Sequence, residues 1–115
     1  MDMMISKLDA AKKRLHIEVT EDVTSTNVGE MRKAFLAIIE GADSASWKAL
    51  YLDLRSIRMI DSMGVNWLYA ENVRLKEAGK ELVLRISSPA IYRVMEFAGL
   101  DKVVTLKYRR RKQTR

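Results

Sequence analysis

Ile60-Asp61-Ser62-Met63-Gly64-Val65 is the run in this chain where residue type and spacing are most suited to chemistry. An Asp-Ser pair ahead of a helical pattern is first of all a helix start, because either side-chain oxygen can accept a bond from a free backbone N–H. Gly64 would let that first turn approach a neighbouring element closely. The same place suits a modified serine. A phosphoserine carries nearly two negative charges, and free N–H groups with the helix dipole favour an anion there. A partner shaped for a neutral Ser62 hydroxyl would instead meet a bulky dianion next to Asp61. A repulsion and desolvation penalty of roughly 3 kcal/mol lowers affinity about a hundredfold.

Other chemistries find few residues. The single histidine, His16, falls on the polar side of an alternating segment, where a solvated surface residue is expected. A Ser-His-Asp triad would have to use it, and there is no G-x-S-x-G elbow. The chain has no cysteine and no H-x-x-x-H pair, so thiolate nucleophiles, disulfides and the usual zinc sites are excluded. Neither phosphate-binding glycine motif, G-x-x-x-x-G-K-[ST] or G-x-G-x-x-G, is present. Asp53 ends an apolar strand and could be taken for a phosphoaspartate acceptor. That reading needs an acidic pair to hold magnesium, and Glu21-Asp22 is the one pair on offer, expected instead as a solvated turn. No enzymatic activity, cofactor or metal is expected.

The elements that position Ser62 follow from hydrophobic period. Lys13–Thr20 alternates Leu15, Ile17 and Val19 with Arg14, His16 and Glu18, and reads as a half-buried strand. Met3–Leu8 reads as an edge strand joined to it through Asp9-Ala10-Ala11-Lys12. Val28, Met31, Phe35, Ile38 and Ile39 repeat at helical spacing, with Thr26 or Asn27 as cap and Gly41 as a left-handed stop. Lys48–Leu54 is a central strand. A second helix begins near Ser62 and stops at Gly79, with Val65, Leu68 and Leu75 as its apolar stripe. Glu81–Ser87 is a strand. Ser88 caps a third helix, Pro89 takes its first position, and Ile91, Val94, Met95 and Ala98 face the core. Val103–Leu106 is a last strand. The order β-β-α-β-α-β-α-β predicts an α/β domain with a mixed, mostly parallel sheet of about five strands and helices packed on it.

A chain of 115 residues with 48% hydrophobic and 31% charged side chains suits one soluble domain, here residues 1–107. No stretch is long and uncharged enough for a signal peptide or a membrane span. The net charge of +6 is local: Lys107, Arg109, Arg110, Arg111, Lys112 and Arg115 carry it. Removing those six from the 21 Lys and Arg leaves 15, matching the 15 Asp and Glu. Residues 108–115 are therefore expected as a basic, disordered tail. A neutral body argues against a nucleic-acid surface, although Arg109-Arg110-Arg111-Lys112 could bind RNA in a salt-dependent way.

The run Leu50-Tyr51-Leu52-Asp53-Leu54 through Ile60-Asp61-Ser62-Met63-Gly64-Val65 resembles the signature of STAS domains, the anti-sigma factor antagonist family. Gly79-Lys80-Glu81-Leu82-Val83-Leu84 resembles that family's helix end and following strand. The segment Ser88-Pro89 to Phe97-Ala98-Gly99-Leu100-Asp101 resembles its last helix and exit, and Val23-Thr24-Ser25-Thr26-Asn27-Val28 sits where the family has a switch-facing loop. The match covers roughly residues 13–107. It implies a cytoplasmic bacterial protein that works by partner switching. The unphosphorylated form would bind an anti-sigma factor that is also a serine kinase, freeing the sigma factor. Phosphorylation of Ser62 would weaken that complex, and a metal-dependent phosphatase of the PP2C type would reverse it. ATP belongs to the kinase in that scheme, and no small-molecule substrate is implied. The expected partner contacts are Thr24, Ser25, Thr26, Asp61, Met63, Gly64 and Trp67, on a monomer or weak dimer. Met63 and Trp67 depart from the family pattern; exposed, they would be partner anchors, and buried, they would be core. A STAS scaffold with a non-sigma output, in a stress-sensing or chemotaxis-type complex, is the alternative.

Overall fold

The computed structural model describes residues 3–109. Five strands, β1 (Met4–Asp9), β2 (Arg14–Val19), β3 (Ala49–Asp53), β4 (Glu81–Ile86) and β5 (Thr105–Tyr108), form one sheet in the order β1-β2-β3-β4-β5. The β1–β2 pair is antiparallel and the remaining pairs are parallel. Three helices alternate with the strands: α1 (Val28–Gly41), α2 (Ser62–Glu77) and α3 (Pro89–Phe97). This is the mixed α/β architecture that the alternation predicts. The β1–β2 hairpin closes through Ala10–Lys13, with Lys13 in the left-handed region at φ 55°.

From β2 to β5 the chain always steps to the next strand in the same direction. Crossovers of one hand then place every helix on the same sheet face. Leu15, Ile17, Val19, Leu50, Leu52, Leu54, Leu82, Leu84 and Ile86 point toward that face and are buried. They join Met31 and Phe35 of α1, Trp67, Leu68 and Leu75 of α2, and Ile91 and Met95 of α3 in one cluster. The Phe35 and Trp67 rings meet edge to face, 5.5 Å between centroids at 86°, and lock α1 to α2. Residues facing the other way, among them Arg14, His16, Glu18, Tyr51, Asp53 and Arg85, are half-buried and stand outside the cluster.

Several expectations shift. Gly41 is the last residue of α1 and does not take a left-handed backbone; the chain leaves through Ala42 in an extended conformation. Gly79 does take it, at φ 77°, and the Lys80 N–H reaches back to the Leu75 carbonyl at 2.8 Å to close α2. Ser88 caps α3 as expected, accepting the Ile91 N–H at 3.3 Å. Val94 and Ala98, expected in the core, are exposed, because this short helix turns only Ile91 and Met95 inward. The last strand begins two residues later than expected and includes Tyr108, whose ring stacks on Tyr92 at 4.1 Å. The Arg109 N–H bonds the Ile86 carbonyl, so the ordered body extends past residue 107; residues 110–115 of the expected basic tail lie outside the described residues. His16 is half-buried rather than solvated, with its ring 5.2 Å from that of Tyr51.

Candidate functional site

Two loops meet at the carboxyl edge of the sheet, where parallel α/β folds gather their sites. One leads from β2 into α1 (residues 20–27), the other from β3 into α2 (residues 54–61). Val23 and Ile60 form an isolated parallel bridge: the Val23 N–H donates to Met59 at 3.2 Å, and the Asp61 N–H donates to the Val23 carbonyl at 3.1 Å. Asp22 is not a solvated turn residue. Its Oδ1 accepts the N–H groups of Arg58 at 2.7 Å and Met59 at 3.3 Å, which binds the first loop to the second.

Asp61 is the N-cap of α2, and Ser62 is the first helical residue. Asp61 Oδ1 accepts the Gly64 N–H at 3.0 Å, and Oδ2 accepts the Ser25 N–H at 2.7 Å. The bond from Ser25, then that from Gly64, holds the Asp61 carboxyl below the usual carboxylate range. One side chain therefore caps the helix and fixes the other loop. Asn27 stands at the cap position of α1, as expected, but its side chain does not cap the helix. It accepts the Thr24 N–H at 3.0 Å and donates Nδ2 to the Asp22 carbonyl at 2.7 Å, so it braces the loop.

The expected contact residues separate into two groups. Ser62, Ser25, Thr26 and Met63 are exposed, with Thr24 and Asp61 half-buried between them. The Ser25–Asp61 bond brings the two loops together as a polar rim, and Met59 and Met63, which flank Asp61 and Ser62 in the chain, are 54% and 49% exposed. Nothing in the sequence pattern singles out Met59; its place between two loop attachments keeps it outward. Trp67 does not belong to this surface. It is 3% exposed, packs against Phe35, and donates its indole N–H to Glu71 at 3.0 Å, so it cannot touch a partner. Gly64 is also buried, and its role is packing. A Cβ there would stand 2.6 Å from Ile60 Cγ1 and 2.8 Å from the Val23 carbonyl oxygen. Only glycine lets α2 start this close to both loops.

Asp53 makes a bidentate pair with Arg55, at 2.9 and 2.7 Å. Burial alone would raise its carboxyl, but the Arg55 hydrogen bonds outweigh that and lower it. Asp22 and Asp53 are each committed to protein donors, and among the described residues no group of three His, Cys, Asp or Glu is placed to hold a metal ion. No described helix is long and apolar enough to cross a membrane.

A family model described as "Mlab, STAS domain" matches residues 6–106. The chain belongs to the STAS domain family. Solved STAS-like structures extend the likeness at low identity. A proposed anti-sigma factor antagonist from Thermotoga maritima matches with a TM-score of 0.77 at 16% identity, covering 93% of this chain and 86% of that one. The Bacillus cell fate determinant SpoIIAA in its phosphorylated form matches with a TM-score of 0.62 at 16% identity, covering 90% and 89%. The murine anion transporter Slc26a9 matches with a TM-score of 0.74 at 16% identity, covering 84% of this chain but 16% of the transporter. The STAS fold thus occurs both in small free-standing proteins and as a minor part of a transporter. At these identities the likeness concerns the fold.

Proposed function

We propose that this STAS domain is an anti-sigma factor antagonist whose docking rim is switched by phosphate on Ser62. The observation that carries the reading is the exposed Ser62 at the first position of α2, beside the Ser25–Thr26 loop that Asp61 ties to it. In the unmodified state the rim offers neutral hydroxyls from Thr24, Ser25, Thr26 and Ser62, flanked by Met59 and Met63. Such a surface suits an anti-sigma factor whose complementary patch is polar at its centre and apolar at one side. Transfer of the ATP γ-phosphoryl group to Ser62 Oγ, with ADP leaving and the hydroxyl proton passing to a base of the kinase, sets a dianion beside the Asp61 carboxylate. The helix N-terminus tolerates that charge, while a partner that had excluded water from the rim does not. A PP2C-type phosphatase would restore the hydroxyl by hydrolysis.

A second reading keeps the same rim and changes the output. The matching family model carries the name Mlab, and the fold also sits inside an anion transporter. The transporter favours a STAS subunit that docks on a larger complex without a sigma factor.

Intact mass of the protein purified from its own host, before and after phosphatase treatment, tests the switch. A single phosphate removable by the enzyme and absent from Ser62→Ala is expected. An unmodified protein in every growth phase, or phosphate that persists on Ser62→Ala, overturns it. Affinity capture with Ser62→Ala then separates the two outputs: a sigma-regulating kinase supports the first, and a transporter subunit supports the second.

A further inference from the structure

At the same carboxyl edge of the sheet, but on the helix-free face and toward β5, lies a cleft of about 290 Å³ lined by Arg55, Arg85, Ile86, Lys107, Tyr108 and Arg109. Register explains the convergence. Asp53, Arg85 and Lys107 are directly paired neighbours across β3, β4 and β5, so their side chains leave the same face side by side. Arg109 follows β5 and is fixed by its N–H bond to Ile86. Arg55 is held in place by Asp53, which takes its Nε and Nη2 and leaves the Nη1 edge for another acceptor.

Among the described residues, Arg85, Lys107 and Arg109 have no carboxylate within ion-pair distance. Four cations therefore line one cleft; against them stand Asp53, paired with Arg55, and Glu18, the neighbour of Asp53 on β2, whose charge also reaches Arg55, so the cationic excess is about two. Like charges brought together on a sheet destabilise it. A fold that keeps them there gains if an anion fills the gap. The uncompensated charge exceeds what a carboxylate would neutralise and suits a dianion. Guanidinium forks match phosphate oxygens in shape, and Lys107 adds a point charge.

We propose that this cleft binds a phosphate monoester, presented either by a free metabolite or by a lipid headgroup. The site is separate from Ser62 and stands whether or not that serine is modified. His16 supplies a built-in reporter. It is the only histidine in the chain; burial, then the charge of Arg85, holds its pKa below the usual value, with Arg14 and Lys7 acting the same way and Asp9 opposing. An anion seated on Arg85 should raise it.

The test is a nuclear magnetic resonance titration of the full chain with glycerol 3-phosphate, against sodium acetate at equal ionic strength. Saturable shifts at residues 55, 85, 107 and 109, a rise in the His16 pKa, and at least tenfold weaker binding in Arg85→Gln/Lys107→Gln are expected. Vesicles of phosphatidylcholine with 20 mol% phosphatidic acid form the second arm, read by co-sedimentation. Binding of the free ester supports a metabolite source. Binding of vesicles alone, lost in the double variant, supports a lipid source. The proposal is overturned if acetate gives the same shifts, if the double variant, shown folded by its amide spectrum, binds as well as the parent, or if binding vanishes only when residues 110–115 are deleted. Binding of polyuridylate with neither phosphate ester overturns it as well.

Discussion

The Asp61 carboxylate accepts the Ser25 N–H at 2.7 Å across 36 residues of sequence, and in the same geometry caps α2 through Gly64. The loop before α1 and the start of α2 are therefore tied by one side chain.

Removing that carboxylate should loosen both loops. Asp61→Ala is expected to lower the urea midpoint at neutral pH and to speed amide exchange at Ser25 and Gly64. The sign with pH is fixed by the lowered carboxyl. Its stabilisation is present above the unfolded value of about 3.9 and is lost as pH falls through the folded value. The gap between parent and variant should be widest near neutrality and close in acid. A gap of constant size from pH 7 to pH 3 would refute a role for the charge.

Gly64 predicts a contrast with Gly29. Gly64→Ala drives a methyl group into Ile60 and the Val23 carbonyl, and overpacking of this kind costs about 1–3 kcal/mol. Gly29 lies in α1 with nothing within 4 Å of an added Cβ. Gly29→Ala should stabilise by about 0.4–1 kcal/mol through the unfolded chain. Thermal and urea unfolding of the two variants read this directly, and equal effects would contradict the geometry.

Ser62 should be nearly silent for folding and decisive for docking. It is exposed and lies on the turn where the helix dipole favours negative charge. Ser62→Asp and Ser62→Ala are expected to stay within about 0.5 kcal/mol of the parent in unfolding, as surface changes do. Binding to the captured partner should survive in Ser62→Ala and fall at least tenfold in Ser62→Asp. Equal binding by both would remove charge as the switch.

The sheet and all three helices are legible in the sequence because their apolar residues keep strict periods: Leu15, Ile17 and Val19 at period two, Met31 and Phe35 at helical spacing. Ser62 is legible because Asp61 and Gly64 flank a helical start. Trp67 is ambiguous for a physical reason. Helix α2 is buried over a wide arc that includes Gly64, Glu71 and Asn72, so polar residues interrupt the stripe and periodicity does not say which way an aromatic ring points. The basic cleft is not legible at all. Arg55, Arg85, Lys107 and Arg109 are spread over 55 residues of chain, and only strand register brings them together.

Glu71 is one of two polar side chains, with Asn72, that are buried among the described residues. It is 1% exposed, its Oε2 accepts the Trp67 indole N–H at 3.0 Å, and its Oε1 has no hydrogen-bond partner. Arg74 approaches Oε1 only to 3.6 Å, and its side chain is 46% exposed, so water screens most of that attraction. Burial therefore dominates and raises the Glu71 carboxyl, against the opposing pulls of Arg74, Trp67 and Arg32. A raised value means that the contribution of Glu71 to stability is fully present below the unfolded value of about 4.3 and is lost as pH rises through the folded value. Glu71→Gln keeps a carbonyl acceptor for Trp67 and cannot ionise. It should match the parent near pH 4 and exceed it at pH 7 in urea unfolding. Glu71→Ala leaves the buried indole N–H without an acceptor and should lose about 1–3 kcal/mol even at pH 4. If Glu71→Gln is instead less stable than the parent at pH 7, the protein stabilises the ionised carboxylate, and the pull of Arg74, Trp67 and Arg32 outweighs burial.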